Sequence, residues 1–118
     1  MLNFNENINL IVKNYKGTES IKNGNLFKIS GLYYTSGIEN LISDVNSVNS
    51  LSKNINKFIH GNWGEICKED IIENEEGLKE GNMLLGSYTI NDKKIWIIAD
   101  STNIPQERKI TVLLPSEY

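Results

Sequence analysis

The chain has 118 residues, 39% hydrophobic and 23% charged, with a net charge of −3 and a pI near 5.2. That length leaves room for one core and not two, so a single domain over 1–118 is expected, and so ordinary a balance excludes disorder over most of it. The acidic sum speaks against direct nucleic-acid binding, which goes with a basic excess. The one cysteine, Cys67, excludes an internal disulfide and fits a reducing cytoplasm.

The start, Met1-Leu2-Asn3-Phe4-Asn5-Glu6, lacks the basic and apolar segments of a secretory signal. No apolar run reaches the ~18 residues that span a bilayer, so no membrane partner is expected; the longest, Ile95 to Ala99, is strand-sized. Eleven lysines stand against a single arginine, Arg108, and Asn and Ile abound. We read that bias as the mark of an AT-rich genome rather than of chemistry.

Residues 1–25 fit two patterns. Ile8, Leu10 and Val12 alternate as in a strand, while Phe4, Ile8, Ile11, Val12 and Tyr15 also fit one helix face. Asn23-Gly24 is a turn signal. Leu26 to Tyr34 then reads as a strand, with Phe27, Ile29, Gly31 and Tyr33 on one face. Ser36 and Glu39 have capping-box spacing and open a short helix with Ile38, Leu41, Ile42 and Val45 inward. A second helix covers about Asn49 to His60, stopped by Gly61.

A third helix is expected from Trp63 to about Glu80, capped by Asn62. A meander follows: Met83–Ile90, a tight turn at Asn91-Asp92, Lys94–Ala99, a loop with Pro105, and Lys109–Leu114. The predicted architecture is α+β, an antiparallel sheet of three to four strands with about three helices on one face.

The third helix carries the most information. At 100° per residue, Trp63, Ile66, Cys67, Asp70, Ile71, Asn74 and Leu78 share a mostly apolar face. Asp70 and Asn74 interrupt it, one turn apart. An unpaired buried carboxylate costs several kcal/mol, so an interior Asp70 needs donors: loop amides, the Tyr88 hydroxyl, or the indole N–H of Trp63 or Trp96. Asp70 and Asn74 either tie a loop to the helix or line a pocket. The opposite face gathers Glu65, Glu69, Glu73, Glu76 and Glu80 within a sector of about 80°. Residues 65–80 hold seven acidic groups against Lys68 and Lys79, a net of −5, in a chain whose total is −3. This stripe is either a solvated face or a docking surface for a partner protein with a basic surface.

Enzyme signatures are missing. The sequence has no phosphate loop, no nucleophile elbow and no Cys/His cluster with metal spacing, so neither a cofactor nor a metal is expected. His60 and Cys67 are the sole residues of their kinds. A pairing between them is disfavoured, because Cys67 falls on the apolar face and His60 at a helix end. Asp100, with Ser101 and Thr102 after it, could begin a site or could be ordinary loop chemistry.

From Phe27 onward the chain resembles a family of small bacterial proteins carried by plasmids, phages and other mobile elements. The likeness rests on Phe27-Lys28-Ile29, Ser36-Gly37-Ile38-Glu39, His60-Gly61-Asn62-Trp63-Gly64-Glu65, Glu69-Asp70, Asn74, Leu78 with Gly81, and Leu84-Leu85. It continues through Tyr88, Ile95-Trp96-Ile97-Ile98 and the ending Thr111 to Tyr118. The family usually has Asp where Asn62 stands, and a Thr-Glu-Ala-Asp-Arg-Ser-like stretch where Ala99-Asp100-Ser101-Thr102 leads into a longer loop. On this likeness 26–118 is the family-like core and 1–25 a variable extension. The resemblance implies a context and no activity: small acidic proteins of mobile elements often act against host defence systems. A non-enzymatic binding protein docking through the acidic stripe is therefore expected. The alternative is a small-molecule or nucleotide binder, or an enzyme, with a pocket near Trp63, Asp70, Asn74, Trp96 and Asp100. Homodimerisation is compatible with either.

Overall fold

Short turns force neighbouring strands antiparallel, whereas a long helical connection lets two strands run side by side in one direction; this chain uses both. The structure, a computed structural model, describes residues 25–118. The two patterns read before Tyr15 and the turn at Asn23-Gly24 lie outside the described residues. In chain order come β1 (Lys28–Tyr34), α1 (Ser36–Leu41), α2 (Val45–Ile59), α3 (Lys68–Glu80), β2 (Leu84–Ile90), β3 (Lys93–Ala99), β4 (Glu107–Leu113) and a closing 3-10 turn (Pro115–Glu117). The strands form one sheet in the order β1-β4-β3-β2. β2, β3 and β4 make the expected antiparallel meander, but β1 lies parallel to β4. The α+β fold is thus built on a mixed sheet and not on a purely antiparallel one. Three helices carry the chain from β1 to β2, and no hairpin reverses it on the way.

The hairpin turn forms where its residues predict. Asn91 and Asp92 take φ of +50° and +63°, and the Asn91 side chain donates to the Ser47 hydroxyl at 2.9 Å, pinning the hairpin to α2. α2 starts earlier than expected because Asp44 caps it, accepting the Ser47 N–H at 2.8 Å. Val45, assigned inward, is 56% exposed. In β1 the register with β4 shifts between Ile29 and Gly31. An extra residue in a strand sends every later side chain to the other face. Phe27 and Ile29 therefore meet the core as expected, but beyond the bulge Leu32 and Tyr34 do so, while Tyr33 is exposed.

The core lies between α1 and α2 and one sheet face. Ile38, Leu51, Ile55 and Phe58 meet Leu84, Tyr88, Ile95, Ile97, Ile110 and Val112, all buried. Phe58 contacts both Phe27 and Trp63 edge-to-face, with ring centroids 5.9 and 5.3 Å apart.

Two polar side chains fasten this core at its ends. Arg108, the sole arginine, is fully buried at 0% exposure. It donates from Nε to the Pro105 carbonyl at 3.1 Å, from one terminal nitrogen to the Asn82 carbonyl at 2.5 Å and from the other to the Gly77 carbonyl at 2.9 Å. Burial pulls its pKa below the ordinary value. Nine residues further on, Glu117 accepts the Thr35 hydroxyl at 2.6 Å, the Leu114 N–H at 2.8 Å and the Gly37 N–H at 3.0 Å. A carboxylate about 80 residues away in sequence thus satisfies the first turn of α1. The helix begins at Ser36 with Thr35 at the cap, and no side chain from Thr35 closes it. A Cβ at Gly37 would sit 2.6 Å from the Leu114 side chain and 2.7 Å from the Glu117 carboxylate, so both side chains would have to shift and the clasp would loosen.

Arg108→Met removes all three bonds, and Arg108→Lys keeps the charge but not the fork that reaches three segments. Each should lower unfolding stability by about 1–3 kcal/mol, the scale for buried acceptors left unpaired. Parent-like midpoints in urea for both variants would contradict this role.

The Thr35 hydroxyl, then the Leu114 and Gly37 N–H groups, hold the Glu117 carboxyl below its ordinary pKa. A lowered native pKa means a contribution that is whole above the unfolded carboxylate range, near ~4.3, and lost as pH falls through the native value. Glu117→Gln should therefore melt below the parent at neutral pH, with the gap closing on acidification. A gap that stays constant or widens towards low pH would rule the clasp out.

Candidate functional site

The motif-bearing segment is a loop followed by a helix, not one continuous helix. α3 starts at Lys68, one and a half turns after the expected Trp63. Asn62 caps a turn instead, accepting the Gly64 N–H at 3.1 Å. Gly64 has φ +76°, and a Cβ there would lie 2.0 Å from the Ser87 carbonyl oxygen. Only glycine permits this approach. It lets the Trp63 carbonyl accept the Ser87 N–H at 3.0 Å and the Glu65 N–H reach the Ser87 carbonyl at 2.8 Å.

This pairing seals the free edge of β2. In the hairpin register the main chain of Leu85 and Ser87 faces away from β3. Ser87 is taken by the loop, and Leu85 by one side chain: Asn74 donates to its carbonyl at 2.8 Å and accepts its N–H at 3.1 Å. Asn74 therefore fastens α3 to the edge strand β2, rather than to a loop. Trp63 is buried against Phe58, and its indole N–H reaches Glu75 at 3.5 Å rather than Asp70. The Tyr88 hydroxyl donates to the Asn62 carbonyl at 2.7 Å, and burial raises its pKa, so it stays a donor.

The remaining candidates are scattered. Asp70 is half-buried in the first turn of α3, beside Cys67. Cys67 is exposed, not the buried thiol its position on a helix face predicted, because that helix turn does not form. The Asp70 N–H favours its thiolate, but the side chains of Asp70 and Glu69, with partial desolvation, outweigh this and raise the thiol. A raised thiol is a poor nucleophile. His60 is exposed at the end of α2, its Nδ1 2.7 Å from the Asn56 carbonyl. Trp96 alternates with Ile95 and Ile97 and so lies on the sheet face away from Trp63, stacked edge-on against Tyr118 at 5.7 Å. One pocket does not hold both tryptophans. No group of three His, Cys, Asp or Glu residues that could hold a metal occurs among the described residues.

Two surfaces remain. Glu69, Glu73, Glu76 and Glu80 are exposed along α3, and Glu65 is exposed in the loop before it. Ile72, 52% exposed, stands roughly opposite the buried Asn74 and Gly77. A shallow groove of about 260 Å³ runs past it, between Glu75, Glu76, Lys79 and Glu80. Sequence reasoning found the carboxylates but not the isoleucine among them. The second surface is a cleft of about 350 Å³ where β3 ends and β4 begins, lined by Ser30, Asp100, Ser101, Thr102, Ile104, Glu107 and Lys109. Asp100 and its two neighbours were legible as a candidate; Ser30, Glu107 and Lys109 were not. Comparison with protein-family models, with curated proteins and with solved structures gives no match.

Asn74→Ala should cost about 1–3 kcal/mol, because it orphans both main-chain groups of Leu85, and should promote aggregation through the opened edge. Asp70→Ala removes a half-buried carboxylate with no main-chain donor and should cost clearly less. Urea unfolding of the pair decides, and an equal or reversed ranking would refute the edge-sealing role.

Proposed function

We propose that this chain is a non-enzymatic binding protein that presents the outward face of α3 to a partner protein with a basic surface. The observation that carries the reading is Ile72, half-exposed within a row of carboxylates. Interfaces combine an apolar anchor with a polar rim, and burying such a side chain contributes about 1.5–3 kcal/mol. The carboxylates around it select the partner by charge and steer its approach. Among the described residues the one ion pair is Lys28 with Glu107 at 3.5 Å, so the stripe is not neutralised from within.

Like charges a turn apart cost a helix ~0.2–0.5 kcal/mol per pair, and a basic partner relieves that cost on binding. The same charge repels nucleic-acid phosphates and disfavours self-association through this face, so a homodimer would form elsewhere. No helix among the described residues is long and apolar enough to cross a membrane. The resemblance to proteins of plasmids and phages makes a subunit of a host defence complex, in the cytoplasm of the host cell, the partner class this reading proposes, with the chain as its inhibitor.

Two variants test it in pull-downs against purified defence-complex subunits: Glu69, Glu73 and Glu76 changed together to Lys, and Ile72→Asp. Capture by the parent should be lost in both and should weaken with salt, which screens exposed charges over ~8 Å at physiological strength. Undiminished capture by either folded variant would remove the face from the account.

A further inference from the structure

Asp100 and Lys109 sit opposite each other where β3 ends and β4 begins: the Asp100 N–H donates to the Lys109 carbonyl at 3.1 Å. Side chains in that register have Cβ atoms roughly 5 Å apart, close enough for opposite charges to pair. They do not pair, since the ion pair formed here is between Lys28 and Glu107. Instead both line the 350 Å³ cleft, together with the hydroxyl-bearing Ser30 and Ser101 and with Glu107, whose carboxylate Lys28 holds. Ser30 comes from the bulged step of β1.

The wall formed by the loop after β3 is held in place. The Thr102 N–H donates to the Gly81 carbonyl at 2.8 Å, the Thr102 hydroxyl accepts the Ile104 N–H at 3.1 Å, and Arg108 holds the Pro105 carbonyl from the core side. Ile104, 53% exposed, supplies the apolar part of that wall.

We propose that this cleft binds a small zwitterion, an aliphatic α-amino acid, with its ammonium on Asp100 and its carboxylate on Lys109. A ligand of one sign entering the cleft would strip water from both side chains and pair only one of them, which is costly. A zwitterion pairs both. The hydroxyls of Ser30 and Ser101 complete its hydrogen bonds, and Ile104 covers its side chain. The volume stands at the low end of the ~300–1,000 Å³ of ligand pockets, the size for a small metabolite. The site shares no residue with the α3 face and stands or falls independently of it.

Calorimetric titration of the full chain with glycine, L-alanine and L-leucine tests this, with N-acetyl-leucine and leucine amide as analogues lacking one charge each. L-leucine should bind saturably at one site. Binding should weaken at least about tenfold, ~1.4 kcal/mol, for each blocked analogue and for Asp100→Asn and Lys109→Met, and should be unchanged in Glu69→Lys. Failure of all three amino acids to bind overturns the proposal. So does a blocked analogue that binds as tightly as leucine, or a cleft variant that binds leucine as the parent does.

Discussion

A guanidinium removed from water must find acceptors for its donors or destabilise the fold by several kcal/mol. Arg108 finds them in main-chain carbonyls from three segments: the last turn of α3, the step into β2, and the loop before β4. The Gly77 carbonyl also takes the N–H groups of Gly81 and Asn82, so the arginine lands on the electronegative end of a helix whose chain has already turned. The Phe27 ring lies 5.9 Å beneath it and favours the charge further. One side chain thereby fixes where α3 ends, where β2 begins and how the loop after β3 is held. Those are the three placements on which both surfaces described above depend.

The second constraint is the sheet edge. A strand with unpaired main-chain groups invites pairing with other chains, and β2 is the last strand on its side. The chain closes it with an irregular loop and one amide side chain rather than with another strand. Main-chain pairing at Ser87 demands glycine at 64, and two-sided pairing at Leu85 demands a side chain that both donates and accepts, which Asn74 has and Asp would lack. Gly64 and Asn74 are thus accounted for by closure of the sheet.

What was legible in the sequence was what local residues decide. The Asn91-Asp92 turn, the left-handed Gly61 stop and the meander strands follow from conformational preferences a few residues wide, and they form as read. What escaped was set by distant partners. The bulge in β1 comes from pairing with β4, and no pattern within β1 announces which of Gly31 or Leu32 faces inward. Residues 63–67 keep helical spacing yet leave the helix, and the Trp63 carbonyl and Glu65 N–H pair with Ser87 instead. The cap of α1 is a carboxylate from the far end of the chain. Arg108 was hidden by composition: a lone arginine among eleven lysines read as codon usage, although only a planar fork suits three carbonyls at once. At the candidate site, the carboxylates and Asp100 were visible as residues. Ile72 and Lys109 needed the structure, since their meaning lies in what surrounds them.

The way α3 is attached bears on how its charge is to be understood. A helix that docks by an apolar stripe must keep that stripe, and its outer face is then what remains. α3 docks differently. Its buried residues are Asn74 and Gly77, one fixed by hydrogen bonds to Leu85 and the other by its carbonyl to Arg108, and Ile71 and Ile72 are left exposed. Attachment through these two points, with Leu78 half-buried against the core, leaves Glu69, Glu73, Glu76 and Ile72 outside the packing. Five exposed glutamates on the helix itself, Glu69, Glu73, Glu75, Glu76 and Glu80, are then tolerated at a cost of tenths of a kcal/mol each. Exposed Ile72 in their midst gains nothing for the isolated chain. A carboxylate row alone is explained by solubility, and a lone exposed isoleucine by chance. Their coincidence on the side of the helix that the fold does not use is what a charge-selective contact requires.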